Sequence, residues 1–448
     1  MAPEALTQAL EDLLETRQYR ALRAAFSEMN NVDLAQFISQ LPARQATLAF
    51  RTLPKDVELE VFAELDPGTQ QTIIASITDQ EIAGIIDELM VDDAVDMLEE
   101  MPAPLVIGVL RNSSPETRAL INQFLRYPEY STGSIMTAEY TDLRVDMTVE
   151  DAIKRIRRIG EDRETIYTCF VVDDTRQLDG VVTVKDLLLA NDVDLVADLM
   201  EPPAVTVETT TDQEEAAKLL AKYDLISLPV VDAEGRLVGI VTVDDAVDVI
   251  REEDTEDFEK MAAMTPSERP YLKTGVFRLA ANRLPWLLVL MLSGMLTGGI
   301  LGHYQDLYLA VPVLMTFVTM LTGTGGNAGS QSSTLIIRGM ALGEIQTRDM
   351  PAVIFKEARV SLMVGVTLAF ANFLRMLITN PNSGLVPLVV SLTLIATVFV
   401  AKVIGGVLPM LARAVKVDPA LMAAPLITTI VDALVLVIYF NIARALLF

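Results

Sequence analysis

Gly180-Val181-Val182-Thr183-Val184-Lys185-Asp186 and Gly239-Ile240-Val241-Thr242-Val243-Asp244-Asp245 follow one pattern, 59 residues apart. Reading outward, Phe170-Val171-Val172-Asp173 matches Pro229-Val230-Val231-Asp232. Thr148-Val149-Glu150-Asp151-Ala152 matches Thr211-Asp212-Gln213-Glu214-Glu215-Ala216, and Ser134-Ile135-Met136-Thr137 matches Asp198-Leu199-Met200-Glu201. The offset is 64 at the start, so the first copy carries five more residues, around Gly160–Arg163. Short β-branched runs alternate with helical spacing, which predicts a duplicated α+β unit over residues 131–190 and 191–250. In each copy a Thr and an Asp three apart stand where a helix opens, the ordinary place for a cap.

Upstream, residues 1–130 show helical spacing and no strand pattern. Leu41-Pro42, Leu53-Pro54, Asp66-Pro67, Met101-Pro102 and Ser114-Pro115 recur about 12 residues apart or at a multiple of that, with Thr78-Asp79 and Val91-Asp92 between them. Proline suits a helix's first turn, where its missing amide costs nothing, and Asp or Thr suits the cap. The reading is an all-α superhelical stack of short helices. Asp87, Glu88, Asp92, Asp93, Asp96, Glu99 and Glu100 crowd one part of it. Asp92 and Asp96 are four apart and repel on one helical face, unless a cation lies between them. A solvated acidic face is the plainer reading of that cluster.

Charge divides the chain. Its 448 residues are 51% hydrophobic yet carry a formal net charge of −26. Residues 1–270 hold 23 Lys/Arg and 55 Asp/Glu, a net of −32; residues 271–448 hold 12 and 6, a net of +6. The first part repels nucleic acid and favours cations. One cysteine, Cys169, and one histidine, His303, exclude an internal disulfide, thiolate clusters and multi-histidine metal sites. No nucleophile–base pair suggests an enzyme. Met1-Ala2-Pro3-Glu4-Ala5-Leu6 lacks a secretory signal, so the acidic part is expected in the cytoplasm. From Asp244 to Glu259 nine of sixteen residues are acidic and one is Arg251. Val247, Ile250 and Phe258 keep helical periodicity, which predicts a connecting helix (251–278) running toward Lys273.

Residues 279–448 hold apolar runs at about 284–302, 308–325, 352–378, 385–411 and 420–446, each near the ~20 residues that cross a bilayer. Arg278, Arg283, Arg338, Arg348, Lys356, Arg359, Arg413 and Lys416 fall on alternate connections, which predicts an N-in, C-out multi-pass arrangement. Trp286 suits the first interface, and Lys402 is expected to snorkel to the inner one. Asp432 lies in Pro425-Leu426-Ile427-Thr428-Thr429-Ile430-Val431-Asp432-Ala433-Leu434. An aspartate at membrane depth costs roughly 3 kcal/mol, so it should face a water-filled path or a partner. Gly323-Thr324-Gly325-Gly326-Asn327-Ala328-Gly329-Ser330-Gln331-Ser332-Ser333 either packs helices closely or turns carbonyls toward a pore.

The duplicated unit resembles a tandem pair of cystathionine-β-synthase-type (CBS) domains. In that family the clefts often bind adenine nucleotides. By this resemblance Thr183, Lys185 and Asp186, and Thr242 and Asp245, are the candidate ATP residues, the second set weakened by Asp244. The full order is an acidic α-helical domain, a CBS pair, a connecting (plug) helix and five transmembrane helices. It resembles the MgtE family of magnesium channels, most specifically at Gly325–Gln331 and from Asp418-Pro419-Ala420 to Asp432.

That resemblance implies a homodimer in the cell inner membrane with a central Mg²⁺ pore. Asp432, Thr428 and Asn327 would line it. It also implies Mg²⁺ sensing by Asp92 and Asp96, by Asp212, Glu214 and Asp224, and by Asp245, Asp248, Glu253, Glu256, Asp257 and Asp418, with high cytosolic Mg²⁺ closing the pore. Carboxylate oxygens suit Mg²⁺, Mn²⁺ and Ca²⁺ alike. The alternatives are a nucleotide-regulated conductor of another divalent cation and a non-transporting membrane-anchored sensor.

Overall fold

The computed structural model describes every residue except 1, 2, 56, 100, 268–270, 273, 380–383 and 423, and for 3–5, 79, 80 and 424 the backbone alone. Glu100 and Lys273, named above, lie outside the described residues. The chain forms two compact units, Met1–Ile250 and Arg251–Phe448.

The first unit opens with α1 (Pro3–Glu15), α2 (Tyr19–Phe26), α3 (Asn31–Gln40), α4 (Ala43–Phe50), α5 (Glu58–Ala63), α6 (Pro67–Ile74), α7 (Asp79–Glu88), α8 (Val91–Glu99), α9 (Ala103–Asn112) and α10 (Pro115–Phe124). The repeat marks real starts. Asp66 caps α6 with Pro67 next, Thr78 and Glu81 form a capping box on α7, and Ser114 caps α10 ahead of Pro115. Leu53-Pro54 is the exception. Pro54 accepts a turn hydrogen bond from the Val57 amide, and α5 begins only at Glu58.

Two three-stranded sheets follow, each with its first strand parallel and its last antiparallel to the middle one. The first holds β1 (Asp142–Leu143), β2 (Thr168–Val172) and β3 (Leu178–Thr183), with α11 (Val149–Ile159), α12 (Val184–Leu189) and α13 (Val196–Leu199). The second holds β4 (Val207–Glu208), β5 (Ser227–Val231) and β6 (Leu237–Thr242), with α14 (Gln213–Lys222) and α15 (Val243–Met261). Phe170 faces Val181 in one ladder and Pro229 faces Ile240 in the other, so the copies share their register.

The repeated glycines have a packing reason. Thr137, ahead of the first sheet, exchanges backbone hydrogen bonds of 2.8 and 2.9 Å with Ile240 of the second, and Glu201 does the same with Val181 of the first. Each copy's opening segment thus extends the other's sheet. A Cβ on Gly239 would lie 2.7 Å from the Thr137 carbonyl and 2.8 Å from Met136 Sδ; one on Gly180 would lie 3.0 Å from the Glu201 carbonyl and from Met200 Sδ. Gly239→Ala is expected to cost about 2 kcal/mol by overpacking, lowering the melting point of the first unit by several degrees. Gly84→Ala, in α7 with open space around it, should be neutral or slightly stabilising. Equal melting points for the two variants would contradict this account.

The second unit contains α16 (Val276–His303), α17 (Gln305–Ala310), α18 (Met315–Ala341), α19 (Met350–Thr379), α20 (Val386–Ala414) and α21 (Ala424–Leu447). Among the described residues four helical spans are long and apolar enough to cross a membrane: Val276–His303, Thr347–Thr379, Val386–Ala414 and Pro419–Leu447. The expected run at 308–325 is displaced. Its helix, α18, spans Met315–Ala341, and its Gly, Ser, Thr and Asn residues dilute its hydropathy.

Candidate ion path and acidic cluster

In the second unit, α18 packs along α20 and α21, and α20 also packs against α19. The glycine-rich stretch remains helical, so its carbonyls serve the helix and are not turned toward a pore. A Cβ on Gly405 of α20 would stand 2.2 Å from the Gly329 carbonyl, which only backbone-to-backbone contact permits. On the α21 side, Cβ atoms added at Gly325 and Gly329 would strike Val431 and Ile427, and one at Gly326 would strike Thr428. Ser333 Oγ donates to the Met422 carbonyl at 3.1 Å. The packing alternative for this stretch is therefore the observed one.

That packing fixes the surroundings of Asp432. Its neighbour Val431 is fully buried against α18, while Asp432 is half-buried and its carboxylate makes no hydrogen bond or ion pair with a described residue. Thr428 lies one turn earlier and donates to the Pro425 carbonyl at 2.9 Å. Asn327 is exposed on α18. These three side chains leave polar atoms available on otherwise apolar helices.

Asp418 is engaged. Its Oδ1 accepts the Ala420 amide at 2.8 Å, and its Oδ2 accepts Lys260 Nζ at 2.7 Å. Lys260 also reaches Glu256 at 2.8 Å. Burial works to lower the Lys260 pKa, but the hydrogen bonds that its ammonium donates to Asp418 and Glu256 outweigh it and hold the ammonium charged. A tethered cation thus already joins two of the acids that sequence reasoning set aside for a metal. Glu253 and Asp257 lie nearby in sequence on α15 and are half-buried.

In the first unit Asp92 of α8 is 9% exposed, whereas Asp96, its expected partner, is exposed. The groups that act on Asp92 come from elsewhere. Burial raises its pKa well above the usual range, followed by Asp93, Asp245 and Glu164. Burial likewise pushes Asp93 to about 6, helped by Asp245, Glu64, Asp244 and Glu139. Glu164 rises to about 7 through burial and then Asp245, Asp244, Asp93 and Glu139. Asp245 rises to about 6 through burial, with Asp244 and Asp248 adding to it and the Thr242 hydroxyl opposing. Acids from α8, from the segment before β1, from the loop after α11 and from the start of α15 therefore share one neighbourhood, in which Asp92 is buried, Asp93, Glu139, Glu164 and Asp245 are partly exposed and Asp244 is exposed.

Asp93, Glu139, Glu164 and Asp244 join this cluster without standing among the acids that the sequence singles out as sensors. One signal was available: Glu164 directly follows the insertion at Gly160–Arg163 that distinguishes the first copy. Its amide donates to the Glu139 carbonyl at 2.9 Å, which ties the inserted loop into the cluster. Other expected sensor acids lie in local roles. Asp212 caps α14 through the Glu214 amide at 2.9 Å, Glu214 pairs with Lys218, and Asp224 is an exposed residue at φ 52° after that helix. Among the described residues no three acids already stand as a coordination shell. Hard oxygen donors with excess negative charge still fit a hydrated divalent cation, which is held through its own waters.

The two Thr–Asp motifs diverge. Thr183 and Asp186 form a complete capping box on α12, exposed together with Lys185. Thr242 is buried and bonds Asp245, whose other neighbours are the acids above. The first motif could meet a phosphate; the second faces carboxylates that repel one.

Comparison with known proteins agrees along the whole chain. The profile described as MgtE, divalent cation transporter, matches residues 318–442; that of the MgtE intracellular N domain matches 29–130; and that of the CBS domain matches 133–192 and 196–252. A magnesium transporter MgtE of Thermus thermophilus is 39% identical over 99% of both chains. One of Bacillus subtilis is 31% identical over 97% of this chain and 95% of its own. Two crystal structures align at TM-score 0.52. The soluble part of a magnesium transporter is 28% identical and covers 56% of this chain and 99% of its own. The cytosolic domain of the Mg²⁺ channel MgtE in complex with ATP is 39% identical and covers 54% and 99%.

Proposed function

The chain belongs to the MgtE family of divalent cation transporters, and on that premise we propose that it conducts Mg²⁺ into the cell past Asp432 and closes when cytosolic Mg²⁺ is high. The observation that carries the conduction reading is the Asp432 carboxylate, held on an apolar helix without a described partner beside the glycine face of α18. A carboxylate so placed stabilises a cation where the bilayer would otherwise exclude one. Thr428 and Asn327 add neutral oxygens that can receive the waters of a hydrated ion. Two copies of the chain, each giving one Asp432, complete the path. The protein lies in the inner membrane with its acidic domains in the cytoplasm and its C-terminus outside.

The clustered acids supply the sensor. Asp92, Asp93, Glu164 and Asp245 repel one another when ionised, so the first unit relaxes without a divalent cation and tightens with one. Asp96, Asp212, Glu214, Asp224, Asp248, Glu253 and Asp257 are further candidate ligands once two copies assemble. Glu256 and Asp418 join them only where Lys260 gives way. ATP at Thr183, Lys185 and Asp186 is a second regulatory input, supported by the exposed motif and by the ATP complex of the related cytosolic domain.

Flux of Mg²⁺ into liposomes holding purified protein tests both parts. Conduction should be present with little Mg²⁺ on the acidic-domain side and should fall as millimolar Mg²⁺ is added there. Absence of divalent flux under both conditions would leave a membrane-anchored sensor as the better reading. Flux that ignores Mg²⁺ on that side would remove the gate.

A further inference from the structure

Lys402 does not snorkel. It is only 6% exposed, and its Nζ donates to Ser332 Oγ of α18 at 3.3 Å. Ser332 is itself 1% exposed and donates to Glu357 Oε2 of α19 at 2.6 Å. A cation on α20 and an anion on α19 are thus joined through one hydroxyl on α18. Gly406, one turn after Lys402, leaves room for this: a Cβ there would come within 3.3 Å of Glu357 Cγ. Isolated charges at membrane depth are strongly disfavoured, so each holds the other in place.

The position matters because of what else α18 does. Gly329, one turn before Ser332, makes the backbone contact with Gly405. Gly326 receives Thr428, and Ser333 bonds the Met422 carbonyl ahead of α21. The helix that meets the Asp432 helix along its glycines is therefore gripped from another side by a charge pair. We propose that Lys402, Ser332 and Glu357 act as one positioning unit that sets the spacing of α18 and α21 and thereby the ion discrimination of the path. This rests on the reading that the path conducts Mg²⁺. Mg²⁺ and Ca²⁺ differ in metal–oxygen distance by only a few tenths of an ångström, so a small displacement of α18 is enough to change their relative passage.

The test is the ratio of Ca²⁺ to Mg²⁺ flux in proteoliposomes. Variants that merely lower the amount of folded protein scale both ions equally, so the ratio isolates positioning. Lys402→Met leaves Glu357 without its counter-charge. Ser332→Ala keeps both charges and removes the bridge, so it remains informative if Lys402→Met fails to assemble. Each is expected to raise the ratio at least about threefold, with the Lys402→Met/Glu357→Gln pair returning toward the starting value, as coupled sites do. An unchanged ratio in Ser332→Ala, or a double variant as altered as Lys402→Met, would overturn the proposal. Absence of Mg²⁺ flux in the unsubstituted protein would instead overturn the functional reading on which it rests.

Discussion

Asp432→Ala is expected to reduce Mg²⁺ flux at least about 100-fold, the equivalent of losing roughly 3 kcal/mol of stabilisation for the passing ion. Val431 and Val435 pack α21 against α18, while the Asp432 carboxylate contributes no hydrogen bond or ion pair to that packing. Removing it should therefore leave yield, detergent-solubilised size and melting behaviour intact. Asp432→Asn keeps the volume and removes only the charge, and it should fall nearly as far. If the asparagine variant conducts normally, the path is shaped by size and hydroxyl groups, and the charge is incidental.

The second large effect concerns the acidic cluster. Asp93 and Asp245 are moved from the ordinary 3.8 to about 6, and Glu164 from 4.5 to about 7. A carboxyl raised in this way binds its proton more tightly in the folded state. Stability is then greatest below the ordinary carboxylate range and is lost as pH rises through about 6 to 7. In chelator, the first unit should therefore melt several degrees lower at pH 7.5 than at pH 5.5, which is the reverse of ordinary acid denaturation. Mg²⁺ should remove most of the difference by compensating the charge at the higher pH. A double substitution, Asp93→Asn with Glu164→Gln, should raise the metal-free melting point at pH 7.5 and blunt the response to Mg²⁺. Circular dichroism of residues 1–250 measures all three. A melting point that rises from pH 5.5 to 7.5 without metal would contradict the cluster as described.

Sequence reasoning reached the architecture through local patterns and failed where the deciding contact was distant. The duplicated strand pattern, the helix starts at Asp66, Thr78 and Ser114, and the apolar spans are all written in nearest neighbours and periodicity. The second span, expected at about 308–325, lies further along the chain because the helix continues through the glycine-rich stretch to Ala341. In α18 each glycine serves a neighbouring helix, and glycine is tolerated within apolar helices where packing re-satisfies the chain. Lys402 was sent to the interface because Ser332, seventy positions earlier, and Glu357 cannot be seen as its neighbours in a linear reading. The same holds for Asp92: its sequence neighbour Asp96 suggested itself, and the groups that shape its environment arrive from Asp245 and Glu164. Asp432 stands out in the sequence because a single carboxylate in an apolar run needs no partner to be conspicuous.

The exchange of opening segments between the two sheets has a consequence for how the chain is made. Thr137 pairs with Ile240 and Glu201 with Val181, so the first copy cannot complete its own edge when it leaves the ribosome. Its opening segment waits for a partner synthesised about a hundred residues later, a long closure of the kind that slows folding. The edge at Gly180 and Val181 lies open to pairing with another nascent chain until the segment around Glu201 is made, and the Thr137 segment waits longer, for Ile240. The five-residue insertion that carries the loop toward Glu164 also belongs to this waiting copy. Expression of the first copy alone should therefore give soluble dimers by mutual edge donation, or aggregate, rather than a stable monomer.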